Sequence, residues 1–123
     1  MAKKIALVGG NGAAGRALHT GLQAKVYDVT IIDIHKMEPD DLCLDVLDYT
    51  ALSYGFPSGV DCLIDLIAVP VDSGAIVPPE QFDQLTNIFF RSTYHLLHLA
   101  REKHIPRVIL ASSNHATDAY EQN

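Results

Sequence analysis

Glycines recur at Gly9, Gly12 and Gly15 within the run Gly9-Gly10-Asn11-Gly12-Ala13-Ala14-Gly15, and a carboxylate, Asp33, follows about 20 residues on. Residues without side chains let a chain turn tightly, let an anion approach the backbone, and let a helix pack closely on a strand. If a helix starts at this turn, its first N–H groups point at whatever sits in front of it, and a pyrophosphate suits them. An acid at the end of the next strand can accept hydrogen bonds from both hydroxyls of a ribose. It would repel a 2′-phosphate. The chemistry read from these residues is therefore dinucleotide binding, with NAD favoured over NADP.

The elements that must position this chemistry alternate between strand and helix. Ile5 to Val8 is a continuous apolar run closed by glycines, as a strand buried on both faces requires. Ala13 to Lys25 reads as a helix, with Ala14, Ala17, Leu18 and Leu22 at helical spacing. Val29 to Asp33 is β-branched and apolar and predicts a second strand. Leu42 to Val46 predicts a weaker third strand, and Tyr49 to Tyr54 a short helical turn. After a turn at Pro57, Ser58 and Gly59, the most apolar strand runs from Cys62 to Val69 and ends at Pro70. Residues 70–79 read as a loop. A long helix from Glu80 to about Lys103 would bury Phe82, Leu85, Phe89, Leu96, Leu99 and Ala100 on one broad face. Arg107 to Ala111 is the last strand. This order predicts a doubly wound α/β domain, a Rossmann-type parallel sheet of about five strands with helices on both faces, over residues 1–123.

Composition narrows the partners. With 48% hydrophobic residues, 20% charged residues and a net charge of −6, the chain has a globular balance. Without a basic cluster it offers nothing to nucleic acid or to an anionic membrane, and no stretch is apolar enough to span one. Cys43 and Cys62 lie in apolar runs and read as buried thiols of a reducing, cytoplasmic compartment. His95 and His98 stand one helical turn apart with no third ligand at metal-binding spacing, so they read as a solvated helix face with no metal. His19, His35 and His104 read as surface residues. Phe90, Tyr94 and Leu97 make a second apolar stripe on the long helix, suited either to core or to a partner subunit.

The glycine run and the segment Val108-Ile109-Leu110-Ala111-Ser112-Ser113-Asn114-His115 give the chain its resemblance to a known family. It resembles the N-terminal part of extended short-chain dehydrogenase/reductases, the NAD-dependent epimerase/dehydratase family. The segment ending in Asn114-His115 is similar to the corresponding stretch of uronate dehydrogenases. The resemblance implies that Gly9, Gly12 and Gly15 cradle the pyrophosphate of NAD with the backbone of Ala13 and Ala14, and that Asp33 holds the adenosine ribose. It implies that Asp45 and Val46 lie against the adenine, and that Leu66, Ile67 and Ala68 line the cofactor. At the last of these places the family usually shows His-Leu-Ala-Ala, and this chain has Asp65-Leu66-Ile67-Ala68. Asp65 is thus expected to be a buried carboxylate, hydrogen-bonded or with a raised pKa. Asn87 would match the family's cofactor-binding asparagine, although two extra residues separate it from Ser92-Thr93.

The family's chemistry resembles a Ser/Tyr/Lys arrangement that moves a hydroxyl proton while hydride passes to or from the nicotinamide. Ser113 matches the serine, and Ser113, Asn114 and His115 would meet the substrate, a sugar or a sugar acid such as a hexuronate. No Tyr-x-x-x-Lys occurs in the chain. The family motif would fall beyond Asn123, so the chain reads as the cofactor-binding half of an enzyme, inactive alone. The other reading is a non-catalytic NAD-binding or interaction module. In either case the last strand and the Phe90 stripe predict a homodimer or larger assembly.

Overall fold

The computed structural model describes residues 2–68 and 78–112. Ser113, Asn114 and His115, like the predicted end of the fourth strand at Val69 and Pro70, lie outside the described residues. The elements run β1 (Lys4–Val8), α1 (Ala13–Ala24), β2 (Asp28–Asp33), β3 (Leu42–Cys43), α2 (Tyr49–Gly55), β4 (Cys62–Asp65), α3 (Pro79–Thr86), α4 (Ser92–Glu102) and β5 (Arg107–Leu110), with a π-helical turn, Asn87–Arg91, joining α3 to α4. All strand pairs are parallel, in the order β3-β2-β1-β4-β5. The doubly wound reading holds, and the chain reverses its direction of travel at β1.

Alternation along the strands builds two cores. Ala6, Val8, Ile32 and Leu63 face α2 and α4, where Leu52, Phe56, Leu96, Leu99 and Ala100 close over them. Ile5, Leu7, Ile31 and Ile64 face the other way, against Leu18 and Leu22 of α1. Leu52, Leu96 and Leu99 are fully buried, so truncating any of them to alanine costs about 2–5 kcal/mol. Among the described residues, no helix is long and apolar enough to cross a membrane.

Four expectations need correction. The third strand is two residues long, because only Leu42 and Cys43 stay in register with Ile32 and Asp33 before the chain turns away. At that short sheet edge Cys43 is exposed, and Cys62, at the start of β4, is half-buried at the border of the smaller core, so neither is the sealed thiol expected. The fourth strand ends at Asp65, opposite Val8, where β1 itself gives way to the glycine turn. The long helix is not one α-helix. The wider turn at Asn87–Arg91 shifts the helical phase, and Ser92 and Thr93 return their hydroxyls to the carbonyls of Ile88 and Phe89. Leu96, Leu99 and Ala100 keep the core face, while Phe82 and Phe89 are left exposed.

Candidate functional site

β1 ends at Val8 and the chain turns back at Gly9, whose φ of +75° is a conformation that side chains resist. A Cβ there would also press to 3.0 Å from the backbone nitrogen of Ile67, so the turn packs directly on the continuation of β4. At Gly15 a Cβ would collide with the backbone of Gly10, which is how α1 seats so closely on the turn. Gly12 differs. The nearest atom to a Cβ there is 3.7 Å away, so the space before it is open. Gly12 is also the N-cap of α1, with no side-chain cap and no acid in the first turn. The first N–H groups of the helix, at Ala13 and Ala14, have no intrahelical acceptor and meet no negative side chain from their own turn.

These residues line a groove of about 800 Å³ at the C-terminal ends of the central strands. Gly9, Gly12, Ala13, Ala14 and Gly15 form one wall. Asp33 stands at the end of β2, Asp45 and Val46 come from the segment after β3, and Leu66, Ile67 and Ala68 come from the continuation of β4. The structure thus brings eleven of the twelve predicted cofactor residues to one groove. The twelfth, Asn87, is not on the wall; Gln84 and Ile88 are. The π-helical turn that begins at Asn87 alters the phase on which that assignment depended.

Asp33 is held by its neighbours. Its carboxylate accepts the backbone N–H of Asn11 at 3.0 Å and that of His35 at 3.0 Å. A carboxylate offers about four lone-pair positions, so two remain for the hydroxyls of a ribose. The residues present therefore fit a dinucleotide: donors for its phosphates at the start of α1 and a partly used acceptor pair beside them at the end of β2.

Two networks that the sequence did not disclose hold this groove in shape. In the first, the Asn11 amide donates to Asp41 at 2.8 Å and to the carbonyl of His35 at 2.6 Å, and its oxygen accepts from Arg16 at 3.0 Å. Asp41 also accepts the N–H groups of Met37 and Glu38, each at 3.0 Å. Burial would raise the pKa of Asp41. The Asn11 amide, the two backbone donors and the charge of Arg16 outweigh it and hold the carboxyl below its ordinary range. In the second network, His95 is half-buried and its Nδ1 lies 2.6 Å from the carbonyl of Val46. Its ring meets Tyr49 edge-on at 5.4 Å. Tyr49 donates to Glu102, which also pairs with His98 at 3.2 Å. Burial, followed by that carboxylate, pushes the Tyr49 phenol up to about 12, so it stays a neutral donor. The solvated-face reading fits His98 and fails for His95, because the segment after β3 folds back against α4. A histidine among leucines at helical spacing gives no sign of such a distant partner.

Asp65, by contrast, lines no part of the groove. It is buried and accepts one backbone N–H, from Ile67 at 2.9 Å. Burial raises its pKa and that single bond offsets only part of the effect, so both features expected of it occur together. Ser112 is exposed just beyond β5.

Comparison with known proteins agrees with this geometry. The sequence model of the NAD dependent epimerase/dehydratase family matches residues 5–123. The Bacillus subtilis protein YtbQ is 34% identical over 123 residues, which cover 98% of this chain and 48% of that protein. L-arabinose 1-dehydrogenase (NAD(P)(+)) of Haloferax volcanii is 32% identical over 118 residues, covering 95% of this chain and 43% of that protein. The crystal structure of uronate dehydrogenase from Agrobacterium tumefaciens, as a tyrosine-to-alanine mutant complexed with NAD, superposes with a TM-score of 0.74 at 26% identity. That match covers 94% of this chain and 42% of the enzyme. The chain therefore spans less than half the length of each of these relatives.

Proposed function

We propose, for a chain that belongs to the NAD-dependent epimerase/dehydratase family, that it is the NAD-holding part of an oxidoreductase acting on a sugar or sugar acid, with a hexuronate as the best candidate. The observation that carries this reading is the groove that the uncapped start of α1 and the carboxylate of Asp33 line together. When bound, the cofactor would supply the hydride acceptor or donor. The protein's part is to hold the pyrophosphate at Ala13 and Ala14, the ribose at Asp33 and the base beside Asp45 and Val46. Support for the sugar acid comes from Asn114-His115 and from the named activity of the Agrobacterium enzyme. The absence of Tyr-x-x-x-Lys from the 123 residues supports two further proposals: the chain alone transfers no hydride, and Ser113 acts only when that pair is supplied. The same absence favours the second reading, a non-catalytic NAD-binding module.

Calorimetric titration of the chain with NAD and NADP tests the proposal. NAD should bind more tightly, and Asp33→Ala should weaken NAD more than NADP, by about 1.5–3 kcal/mol for hydrogen bonds to a charged group. Equal or tighter NADP binding by the unaltered chain would defeat the role given to Asp33. We also propose a homodimer or larger assembly. Phe90 and Tyr94 are 74% and 67% exposed on the helix, and β5 is an edge of the sheet among the described residues. Light scattering coupled to size exclusion checks this, and a monomer would refute it.

A further inference from the structure

Groove walls made of loop need an anchor, and the wall formed by Asp45 and Val46 has an unusual one. Its local bonds are short-range. The Asp45 carboxylate accepts the N–H of Leu47 at 2.9 Å, the Asp45 carbonyl accepts that of Asp48 at 3.1 Å, and Asp48 caps α2 through the N–H of Ala51 at 3.1 Å. These bonds shape the turn without fixing where it stands relative to the groove. The bond from His95 to Val46 does that, because it spans 49 residues and ties the turn to α4. A carbonyl can only accept, so Nδ1 of His95 carries the proton. The ring also meets Tyr49 at 5.4 Å and Tyr94 at 6.3 Å. The Val46 side chain is itself buried in the larger core, so the turn is seated on the same side as this bond.

We propose that His95 is a positioning residue for nucleotide recognition: by holding the Val46 carbonyl, it fixes the Asp45–Val46 wall against which the adenine edge is read. The inference rests on the groove being an NAD site. Asp45 uses one carboxylate oxygen on Leu47, and the other lone pairs can accept from an exocyclic amine if the wall is held in place. A base carrying an oxygen there would gain nothing from the wall. The role goes beyond cofactor binding as such, since His95 lines no part of the groove.

The test uses the full chain, with NAD and its hypoxanthine analogue as probes, and two variants. His95→Leu fills the space between the tyrosines without a donor. His95→Asn places an amide N–H where Nδ1 stands. His95→Leu should weaken NAD roughly three- to tenfold, the scale of one lost hydrogen bond. It should weaken the hypoxanthine analogue less, so the ratio of the two affinities narrows. His95→Asn should restore both affinity and ratio to within about twofold. A role in packing alone would lower both affinities together and would not respond to the amide. An unchanged ratio in His95→Leu, or no recovery in a folded His95→Asn, overturns the inference while leaving NAD binding intact. An unaltered chain that binds neither nucleotide overturns the NAD reading itself, and this inference with it. Should the leucine variant not fold, nitrogen-15 NMR of the unaltered chain decides: a ring proton on Nδ1, protected from exchange, is expected, and a proton on Nε2 alone overturns the proposal.

Discussion

Asp41 and Asp65 are both little exposed, at 5% and 7%, but Asp65 is enclosed by far more protein, and their carboxyls titrate in opposite directions. Burial pushes both upward. Asp41 sits in the loop between β2 and β3, where three N–H donors converge on one oxygen and Arg16 stands nearby. Asp65 sits at the end of β4, where the backbone is already committed to the sheet and only the Ile67 N–H turns toward it. Loops can aim several donors at one point, and strands spend theirs on neighbours. The difference teaches that local donors, weighed against the depth of the site, decide whether a buried acid is an anchor or a liability.

The largest expected effect comes from removing the anchor. Asp41→Ala leaves the Asn11 amide and the N–H groups of Met37 and Glu38 without their acceptor, and should cost about 2–3 kcal/mol by denaturant unfolding at neutral pH. In the unaltered chain the contribution of Asp41 is present above the ordinary carboxylate pKa. It is lost as pH falls through the lowered native value. A cost below about 0.5 kcal/mol would mean that the converging donors find water equally well, and the contrast with Asp65 would fail.

Asp65→Asn should have a smaller effect of opposite sign. Because its native pKa is raised, the contribution of Asp65 is full at acid pH and is lost as pH rises through the native value. The amide keeps an oxygen for the Ile67 N–H, and no buried polar side-chain atom is unpartnered among the described residues, so the new NH2 group is not sealed in. A gain of about 1 kcal/mol is expected at pH 7, shrinking to nothing below about pH 4, measured by melts across pH. Destabilisation at pH 7 would show that the ionised form is what the site favours.

The smallest effect belongs to Arg16→Met. Arg16 meets Glu38 at 3.6 Å, with both side chains well exposed, and donates to the Asn11 side-chain oxygen at 3.0 Å; such exposed contacts of a charged group contribute about 0–1 kcal/mol. Unfolding at low and high salt should show a cost under about 1 kcal/mol that diminishes with salt. A cost above about 2 kcal/mol would shift the credit for the charge on Asp41 from hydrogen bonds to the arginine.

Much of the fold was legible because it rests on local rules. The apolar run Ile5–Val8 and the β-branched segment Val29–Ile32 suit strands covered on both faces, and Pro78-Pro79 marks the start of α3 by its fixed φ and missing N–H. The glycine spacing required a turn too tight for side chains, and Gly9 and Gly15 occupy places where a Cβ would meet backbone. The helix after Pro79 was misread because one π-helical turn leaves the amino-acid pattern almost unchanged while shifting the phase of what it buries. For that reason Phe82 and Phe89 are exposed, and Gln84 and Ile88 reach the groove in place of Asn87.

The sequence by itself determined the order of strands and helices, the parallel sheet, the glycine turn and the acid at the end of β2, since each follows from neighbours within a few residues. Tertiary structure decided what the polar residues do. Asn11 meets Asp41 across 30 residues, and His95 meets Val46 across 49. Such pairs form only after the cores have fixed the loops, because a hydrogen bond needs its atoms within about 3 Å and no spacing rule brings distant segments that close. The two aspartates carry the point to its limit: nothing in the residues around Asp41 and Asp65 distinguishes an acid held charged from one pressed toward neutrality. The donors gathered by a loop in one case, and the deeper burial with a single donor at a strand end in the other, make that choice.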